Sequence, residues 1–166
     1  IDANNNLWIA TRGDGLSVKN NDNKKWNNYN IFNSGMRDDY VSVIKIDQYN
    51  NKWIGGTYEG IAMYNDTNWT HFNSDNSSLP FNGINDISFA NDTVIIATEA
   101  GLAFYNTTTN KWTTLFDEDN SLDIKKIKKE KNVLWVLSSF SIMYLKNNQW
   151  IKLELPKRIK SSLTDC

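Results

Sequence analysis

Cysteine, proline and long hydrophobic runs are almost absent from this sequence. The single cysteine, Cys166, is the last residue, which excludes an internal disulfide and a metal site built from several thiolates. No apolar run approaches the roughly 20 residues that a membrane-spanning helix requires, and no signal peptide is recognisable. Proline occurs only at Pro80 and Pro156, whereas 25 residues are asparagine, and this composition favours tight turns over helix.

A surplus of charge is also missing. The net charge of the 166 residues is −1, so the sequence gives no electrostatic reason for binding nucleic acid or an anionic membrane. The densest basic run, Lys125 to Lys131, is interrupted by Glu130 and is expected to be a solvated strand and turn rather than a phosphate-binding patch. The length suits one domain with a substantial core, and we predict a single domain over residues 1–166.

What the sequence does contain is one short apolar element in four copies. The copies are Leu7–Thr11, Lys52–Gly56, Ile95–Thr98 and Leu134–Leu137. A tryptophan follows each copy, at Trp26, Trp69, Trp112 and Trp150. Successive copies lie about 45, 42 and 40 residues apart, and these tryptophans lie about 43, 43 and 38 residues apart. A period near 40 residues predicts stacked supersecondary units of one kind.

The second copy shows the predicted content of one unit. Alternating and β-branched runs, separated by turns rich in Asn, Asp and Gly, predict four strands. These are Val41–Ile46, Trp53–Thr57, Ile61–Tyr64 and Trp69–Phe72. Because the connections are hairpins, the unit is predicted to be a four-stranded antiparallel meander.

The other units follow the same order. The predicted units span residues 1–32, 40–75, 83–118 and 123–154. The first lacks its opening strand, since Ile1 and Asp2 match Ile46 and Asp47. Residues 157–166 are similar to the opening strand of a fifth unit. We therefore expect the chain, which starts inside a repeat and without Met, to be a piece of a longer protein.

Two kinds of segment would be misread from local pattern alone. Ile124, Ile127 and the lysines between them have the spacing of a helix face, but they occupy the repeat positions of Ile84 and Ile87 and are predicted to form a strand. The asparagine-rich segments could be taken as disordered. Asparagine tolerates left-handed backbone geometry better than other non-glycine residues, so we predict ordered hairpin turns there.

The second strand of each unit indicates how the units pack. Leu7–Ala10 and Val94–Ala97 are apolar at consecutive positions, whereas a strand with one face in water alternates. Each sheet is therefore predicted to lie between two neighbouring sheets, with the repeated tryptophans filling the space between them. Four-stranded antiparallel sheets stacked around an axis form a β-propeller. A β-sandwich is the other all-β alternative, but it does not account for a period of four strands.

The repeat resembles the two-component regulator propeller repeat over the whole chain. That family's pattern contains an Asp-x-x-Gly-Asn turn, Leu-Trp-Ile-Gly-Thr, a Gly-Leu-x-x-Tyr strand, a Trp-x-x-Tyr strand and a Leu-Pro linker. The matching residues are Asp47, Asn51, Trp53, Ile54, Gly60, Tyr64, Trp112, Thr113, Leu79 and Pro80. Asn50 replaces the turn glycine, and Ser141 replaces the glycine before the third strand of the last unit.

The resemblance implies a seven-bladed propeller in the sensor half of bacterial hybrid histidine kinases, which commonly respond to oligosaccharides. It also implies a periplasmic or extracellular location, and it carries no catalytic motif. This sequence supplies about four blades. Either its C-terminal strand pairs with the first unit and closes a four-bladed ring, or the chain is a fragment whose exposed end faces associate with another copy. We favour the fragment that associates with itself.

Candidate ligand residues lie at one end of the predicted blades. In a meander, the turns between the second and third strands share an end with the linkers between blades. Charged and aromatic residues gather in these loops, as ligand recognition requires, while the opposite end is almost all Asn, Asp and Thr. The candidate ligand-binding residues are Arg12, Asp14, Arg37, Asp38, Tyr40, Tyr58, Glu59, Phe81, Asn82, Glu99 and Phe140.

The sequence favours a non-enzymatic, ligand-sensing module for signal transduction, with an oligosaccharide or other small molecule and neighbouring domains as partners. A protein-interaction scaffold without a small ligand is the alternative. A propeller lyase or glycan-cleaving enzyme is less favoured, because the only histidine, His71, falls in an outer strand and no pair of carboxylates recurs. No catalytic residue, metal or cofactor is predicted, since the Asp2 to Asn6 and Asp47 to Asn51 turns have too few ligands for calcium.

Overall fold

The computed structural model describes residues 1–115, 122–147 and 149–153. Strands account for all the regular structure in these residues, and no helix long and apolar enough to cross a membrane is present among them. The strands are β1 (Leu7–Ala10), β2 (Leu16–Lys19), β3 (Trp26–Tyr29), β4 (Val41–Ile46), β5 (Lys52–Gly56), β6 (Ile61–Tyr64), β7 (Trp69–Phe72), β8 (Ile84–Ala90), β9 (Thr93–Thr98), β10 (Gly101–Asn106), β11 (Lys111–Leu115), β12 (Ile124–Glu130), β13 (Val133–Ser138), β14 (Ile142–Lys146) and β15 (Gln149–Lys152).

The strands form four antiparallel sheets, which we call blades 1 to 4. Blade 1 has three strands in the order β1-β2-β3, and blades 2, 3 and 4 are four-stranded meanders of β4–β7, β8–β11 and β12–β15. The predicted all-β class and the missing opening strand of the first unit are confirmed. The further strand predicted at residues 157–166 lies outside the described residues.

The two kinds of segment that local pattern misreads follow the repeat. β12 is a strand in which Ile124 and Ile127 are buried, as the repeat register predicts. The asparagine-rich turns are ordered hairpins, and five of the eight non-glycine residues with positive φ in the described chain are asparagine. They are Asn5, Asn50, Asn91, Asn110 and Asn147, with φ between 51 and 68°. Asparagine therefore supplies the left-handed conformation at Asn50, with φ 68°.

Neighbouring blades pack face to face and enclose three hydrophobic cores. The inner strands β4, β8 and β12 lie side by side, and β1 lies beside β4. The cores are centred on Trp8 and Ile54 between blades 1 and 2, on Trp53 and Ile96 between blades 2 and 3, and on Ile95 and Val136 between blades 3 and 4. We call these contacts the 1–2, 2–3 and 3–4 junctions.

Burial of the second strands separates the inner blades from blade 1. β5 is buried at all five positions and β9 at five of six, so the prediction of sheets covered on both faces is confirmed for blades 2 and 3. The prediction is wrong for β1, where Leu7 is 39% and Ile9 is 38% exposed. These two side chains lie on the face of blade 1 that is turned away from blade 2.

The repeated tryptophans differ between junction faces and the outward face of blade 1. Trp8 and Trp53 are buried between sheets as predicted. Trp26 is 53% exposed, so the prediction is wrong there. The β-ladder register places Trp26 opposite Lys19, and Lys19 opposite Leu7, so all three share the outward face of blade 1.

Candidate functional site

The loop end of the blades is held by a repeated irregularity in the inner strands. β4, β8 and β12 each contain a register shift near their first residues. At this shift Ser42 and Asn85 donate side-chain hydrogen bonds to the backbone carbonyl oxygens of Ile84 and Ile124 in the next blade. Bulges of this kind commonly re-aim side chains next to functional sites. These hydrogen bonds join blades 2, 3 and 4 at the end where the candidate ligand residues of those blades lie.

The linkers between blades are fastened to the turns of the preceding blade. The amides of Gly13 and Gly15 donate to the carbonyl oxygen of Asp39 at 3.0 and 2.9 Å. One blade further on, the amide of Gly60 donates to the carbonyl oxygen of Asn82 at 3.2 Å. The side-chain oxygen of Asn82 also accepts a hydrogen bond from the amide of Ser74 at 2.9 Å. Asn82, a candidate ligand residue, thus fixes the position of its own loop.

Asp38 organises the loop end of blade 2. Its carboxylate accepts hydrogen bonds from the backbone amides of Tyr40 at 2.8 Å and Tyr58 at 2.7 Å. Gly56 permits this close approach, because a Cβ atom there would lie 2.5 Å from an Asp38 carboxylate oxygen. The carboxylate therefore sets the positions of two aromatic residues that the sequence assigns to the candidate site.

Three exposed aromatic side chains lie on this framework. The rings of Tyr40 and Tyr58 meet edge to face, with centroids 5.6 Å apart, and Phe81 lines the same cleft as Tyr58. Their exposed fractions are 50% for Tyr40, 62% for Tyr58 and 46% for Phe81. Single exposed apolar residues are ordinary, but a contiguous group of them marks an interaction surface.

The cleft between blades 2 and 3, which we call the aromatic cleft, brings four of the candidate ligand residues together. Tyr58, Phe81, Asn82 and Glu99 line it, and its volume of about 360 Å³ falls within the range of small-molecule sites. Gly83 forms part of the wall, where a Cβ atom would lie 3.2 Å from the Glu99 carboxyl carbon and 3.3 Å from the Phe81 ring. The absence of a side chain at Gly83 therefore leaves room between the ring and the carboxylate.

Sequence reasoning missed the small polar residues of the same cleft. Thr57 and Ser74 line it beside the predicted residues, and the Thr57 hydroxyl donates to the carbonyl oxygen of Tyr40 at 3.0 Å. Nothing in the sequence distinguishes these hydroxyls from those of ordinary turns. They are identified as lining residues only because the β5–β6 turn, the linker after β7 and the β9–β10 turn meet in the structure.

The remaining candidates are not brought into this cleft. Arg37, Asp38 and Glu59 line a separate pocket of about 10 Å³, which has room for one water molecule at most. The others lie at the turns and linkers of the first two blades and at the corresponding turn of blade 4. They are Arg12, Asp14, Tyr40 and Phe140.

Glu99 gives the cleft its charge. No lysine, arginine or histidine is among the described residues that line it. A carboxylate without a cationic neighbour disfavours anionic ligands and accepts hydrogen bonds from hydroxyl groups. Together with the apolar faces of Tyr58 and Phe81, it suits a neutral ligand with many hydroxyl groups.

His71 lies in β7, the outer strand of blade 2, as predicted. Its ring is hydrogen-bonded to the backbone carbonyl oxygen of Gly35. Burial lowers the pKa of His71, the hydrogen bond to Gly35 acts in the opposite direction, and the charge of Arg37 adds to the lowering. His71 is not among the residues that line the aromatic cleft.

No protein-family model and no curated protein matches the sequence. Solved structures do match. Over 91% of the chain, the structure is similar to the extracellular domain of the proposed hybrid two-component system BT3049 from B. thetaiotaomicron, with a TM-score of 0.76 and 20% identity. Over 94% of the chain, it is similar to the extracellular domain of BT4673 from the same organism, with a TM-score of 0.78 and 18% identity. The chain has a β-propeller fold.

A third match belongs to another class of protein. Virginiamycin B lyase from Staphylococcus aureus is 19% identical, with a TM-score of 0.70 over 93% of this chain and 53% of the lyase. The propeller segment described here spans 22% of the BT3049 chain and 23% of the BT4673 chain. The predicted resemblance to the two-component regulator propeller repeat is confirmed at the level of the fold.

Proposed function

We propose that the chain is part of a ligand-sensing β-propeller in an extracellular or periplasmic signal-transduction protein. The observation that carries the proposal is the similarity of more than nine-tenths of the chain to extracellular domains of two-component systems. An exposed aromatic cleft on such a propeller is suited to receive a small molecule outside the cell. Binding would shift the balance between arrangements of coupled domains by the difference in affinity for them.

The ligand that we propose is a neutral oligosaccharide. The exposed rings of Tyr58 and Phe81 offer flat apolar surfaces for the faces of sugar rings. Ser74, Asn82 and Glu99 offer hydrogen-bonding groups for the hydroxyl edges. The uncompensated charge of Glu99 favours neutral over acidic sugars, which makes the proposal specific enough to test.

A protein-interaction scaffold without a small ligand is the second candidate. The observation that favours it is the open outward face of blade 1, where Leu7, Ile9 and Trp26 are exposed. A lyase activity is disfavoured despite the similarity to virginiamycin B lyase. His71, the only histidine, is half-buried, hydrogen-bonded to Gly35 and outside the aromatic cleft.

The test is a thermal-shift titration of the chain with neutral oligosaccharides, followed by calorimetry on those that respond. A ligand that binds only the folded chain raises the melting temperature. Tyr58→Ala is expected to weaken binding about tenfold, because truncation of an aromatic contact residue commonly costs more than 1 kcal/mol. Tyr49→Ala is the matched control, since Tyr49 is also 62% exposed but lies at the opposite end of blade 2, and it is expected to bind as the unaltered chain does.

Two outcomes would contradict the proposal. One is that no neutral oligosaccharide raises the melting temperature, which would favour the scaffold. The other is equal weakening by Tyr58→Ala and Tyr49→Ala, which would place binding outside the aromatic cleft. Cleavage of an oligosaccharide by the chain would support the enzymatic alternative instead.

A further inference from the structure

The junctions between blades are built from four equivalent positions. Strands are counted here by their place in the four-stranded repeat, so that β1, β2 and β3 are the second, third and fourth strands of blade 1. Each junction takes one residue from the second and one from the fourth strand of a blade. It takes two more from the third and fourth strands of the next blade. In two junctions all four residues are aromatic. They are Trp8, Tyr29, Tyr64 and Trp69 at the 1–2 junction, and Trp53, Phe72, Tyr105 and Trp112 at the 2–3 junction. Within each set the contacting rings have centroids 4.5 to 6.4 Å apart.

The 3–4 junction has aliphatic residues at three of these positions. Ile95 stands where the second strands of blades 1 and 2 carry tryptophan. Leu115 replaces the tyrosine or phenylalanine of the fourth strand, and Leu145 replaces the tyrosine of the third strand in the next blade. Trp150 alone keeps the aromatic character of its position.

Three of the four positions that carry aromatic rings at the other junctions therefore carry no ring here. A cleft of about 400 Å³ lies between blades 3 and 4, with walls that include Ile95, Phe104, Leu134 and Leu145. Trp53, at the position equivalent to Ile95, is 1% exposed. The volume falls within the range of small-molecule sites, and the walls are apolar as in most of them.

The cleft between blades 3 and 4 opens at the end of the blades opposite the aromatic cleft. In blades 1 and 2 this end is closed by a turn carboxylate, where Asp2 and Asp47 accept the indole N–H groups of Trp8 and Trp53 at 2.9 Å. The corresponding turn of blade 3 is shorter, and its carboxylate, Asp92, accepts a hydrogen bond from a tyrosine of blade 2 instead. Blade 3 therefore lacks both the indole and the carboxylate that close the other junctions.

The rim of the cleft is polar and basic. Thr93, Lys129 and asparagine side chains surround the opening, and no acidic residue is among the described residues that line it. Lys129 also lines an adjoining open cleft together with Lys45, Lys128 and Lys131. Lys128 is paired with the Glu130 carboxylate at 2.6 Å, so Lys129 is the cation that the opening offers to a negatively charged group.

We propose that the cleft at the 3–4 junction binds a small planar aromatic acid. Its ring would lie between Ile95 and Leu145, in the place that an indole ring takes at the other junctions, and its carboxylate would face the ammonium group of Lys129. Burial of the ring supplies apolar contact, and the carboxylate gains a charge-assisted interaction. The site is separate from the aromatic cleft at the loop end, so it does not depend on the proposed sensing function.

The test is calorimetric titration of the whole chain with indole-3-acetate and, for comparison, neutral indole. We expect one site, and tighter binding of indole-3-acetate than of indole by about two- to fivefold, the range for an exposed ion pair. Lys129→Gln is expected to abolish this difference while leaving the affinity for indole unchanged. Binding of indole with no preference for the acid would overturn the charge assignment.

Two variants fill the cleft from opposite walls. Ile95→Trp restores the residue of the other junctions, and Leu145→Tyr restores the residue of the facing blade. Each is expected to weaken the binding of both probes about tenfold or more, a change of at least 1.4 kcal/mol, with a melting temperature that is unchanged or higher. Because the two variants are independent, misfolding of one leaves the other as a test. Undiminished binding in a folded variant, or no binding of either probe to the unaltered chain, would overturn the proposal.

Discussion

The junctions on the two sides of blade 3 use the same strands and register but different side chains. At the 2–3 junction, Trp53 is 1% exposed and donates its indole N–H to Asp47 at 2.9 Å. At the 3–4 junction, Ile95 is 2% exposed and a cleft remains beside it. The strand ladders are continuous on both sides. The repeated backbone pattern therefore determines the fold, whereas a few side chains decide whether a cleft remains at a junction.

The 1–2 junction has the same strand arrangement and also contains a buried charge. Lys52 is 0% exposed, at a register position that the other three blades give to an aliphatic residue. Its ammonium group lies 2.5 Å from an Asp66 carboxylate oxygen, 3.9 Å from an Asp2 oxygen and 5.3 Å from the centre of the Trp8 ring. A buried cation needs these specific partners, so this junction selects its own two blades more strictly than an apolar one.

The largest expected effect comes from converting one junction into the other. Trp53→Ile places at the 2–3 junction the residue found at the 3–4 junction. We expect the free energy of unfolding to fall by about 2–4 kcal/mol, because a buried indole is lost, a cavity remains and Asp47 loses a hydrogen-bond donor. Urea unfolding followed by circular dichroism measures this change.

The matched control for that swap is at the aliphatic junction. Ile95→Val removes one methylene from an equivalent position and is expected to cost about 0.5–1.5 kcal/mol. If Trp53→Ile cost no more than Ile95→Val, the aromatic junctions would hold the blades no better than the aliphatic one. The contrast drawn between the two sides of blade 3 would then be wrong.

The fold could be predicted from sequence because its information is repeated. The period set by residues such as Trp69 and Trp112 fixed the number of strands per blade, and it corrected the helical spacing of Ile124 and Ile127 in β12. The exposure of Trp26 could not be predicted in the same way. Its burial depends on what lies beside blade 1, and the repeat pattern is the same whether that face is covered or open.

The candidate site could be predicted only in part. Sequence position assigned charged and aromatic residues to one end of the blades, and four of them share the aromatic cleft. Which loops meet depends on hydrogen bonds such as that from the Tyr58 amide to Asp38, 20 residues away, and no local pattern reports it. The cleft at the 3–4 junction had a signal, since Ile95 breaks the tryptophan pattern. One substitution, however, does not reveal whether its neighbours fill the space.

A smaller effect should separate the 1–2 and 3–4 junctions in acid. Burial acts to raise the pKa of Asp2, but hydrogen bonds from the Trp8 indole and from Asn6 and Asn4 outweigh it, so the pKa lies below its ordinary value of 3.8. A carboxylate with a lowered pKa stabilises the folded chain above the unfolded-state pKa, and that contribution is lost as the pH falls through the folded-state value. We expect the amides of β1 to lose protection from hydrogen exchange below about pH 4, before those of β13.

Asp2→Asn is the variant that tests this assignment. An amide cannot take up the proton, so the acid sensitivity of β1 should become shallower and approach that of β13. The aliphatic 3–4 junction serves as the internal reference in the same sample. Equal loss of protection in β1 and β13 of the unaltered chain, or an unchanged profile in Asp2→Asn, would show that Asp2 is not the titrating group.

The smallest expected effect concerns the outward face of blade 1. Trp26 holds the repeat position of Trp112, but it is 53% exposed, with the Lys19 ammonium group 5.8 Å from the ring centre. Trp26→Ala is expected to cost less than about 0.5 kcal/mol in the monomer, as surface substitutions do. Trp112→Ala, which removes a ring from the 2–3 junction, is expected to cost about 2–4 kcal/mol.

The same variant tests whether this face associates with another copy, which stays a prediction from the sequence. If the open face is covered in solution, light scattering should show oligomers that dissociate on dilution, and Trp26→Ala should weaken them. A large aromatic side chain at the centre of an interface commonly carries much of its binding energy. A monomer at every concentration would contradict the predicted self-association. Trp26 would then differ from Trp112 in that no blade of the described chain packs against its ring.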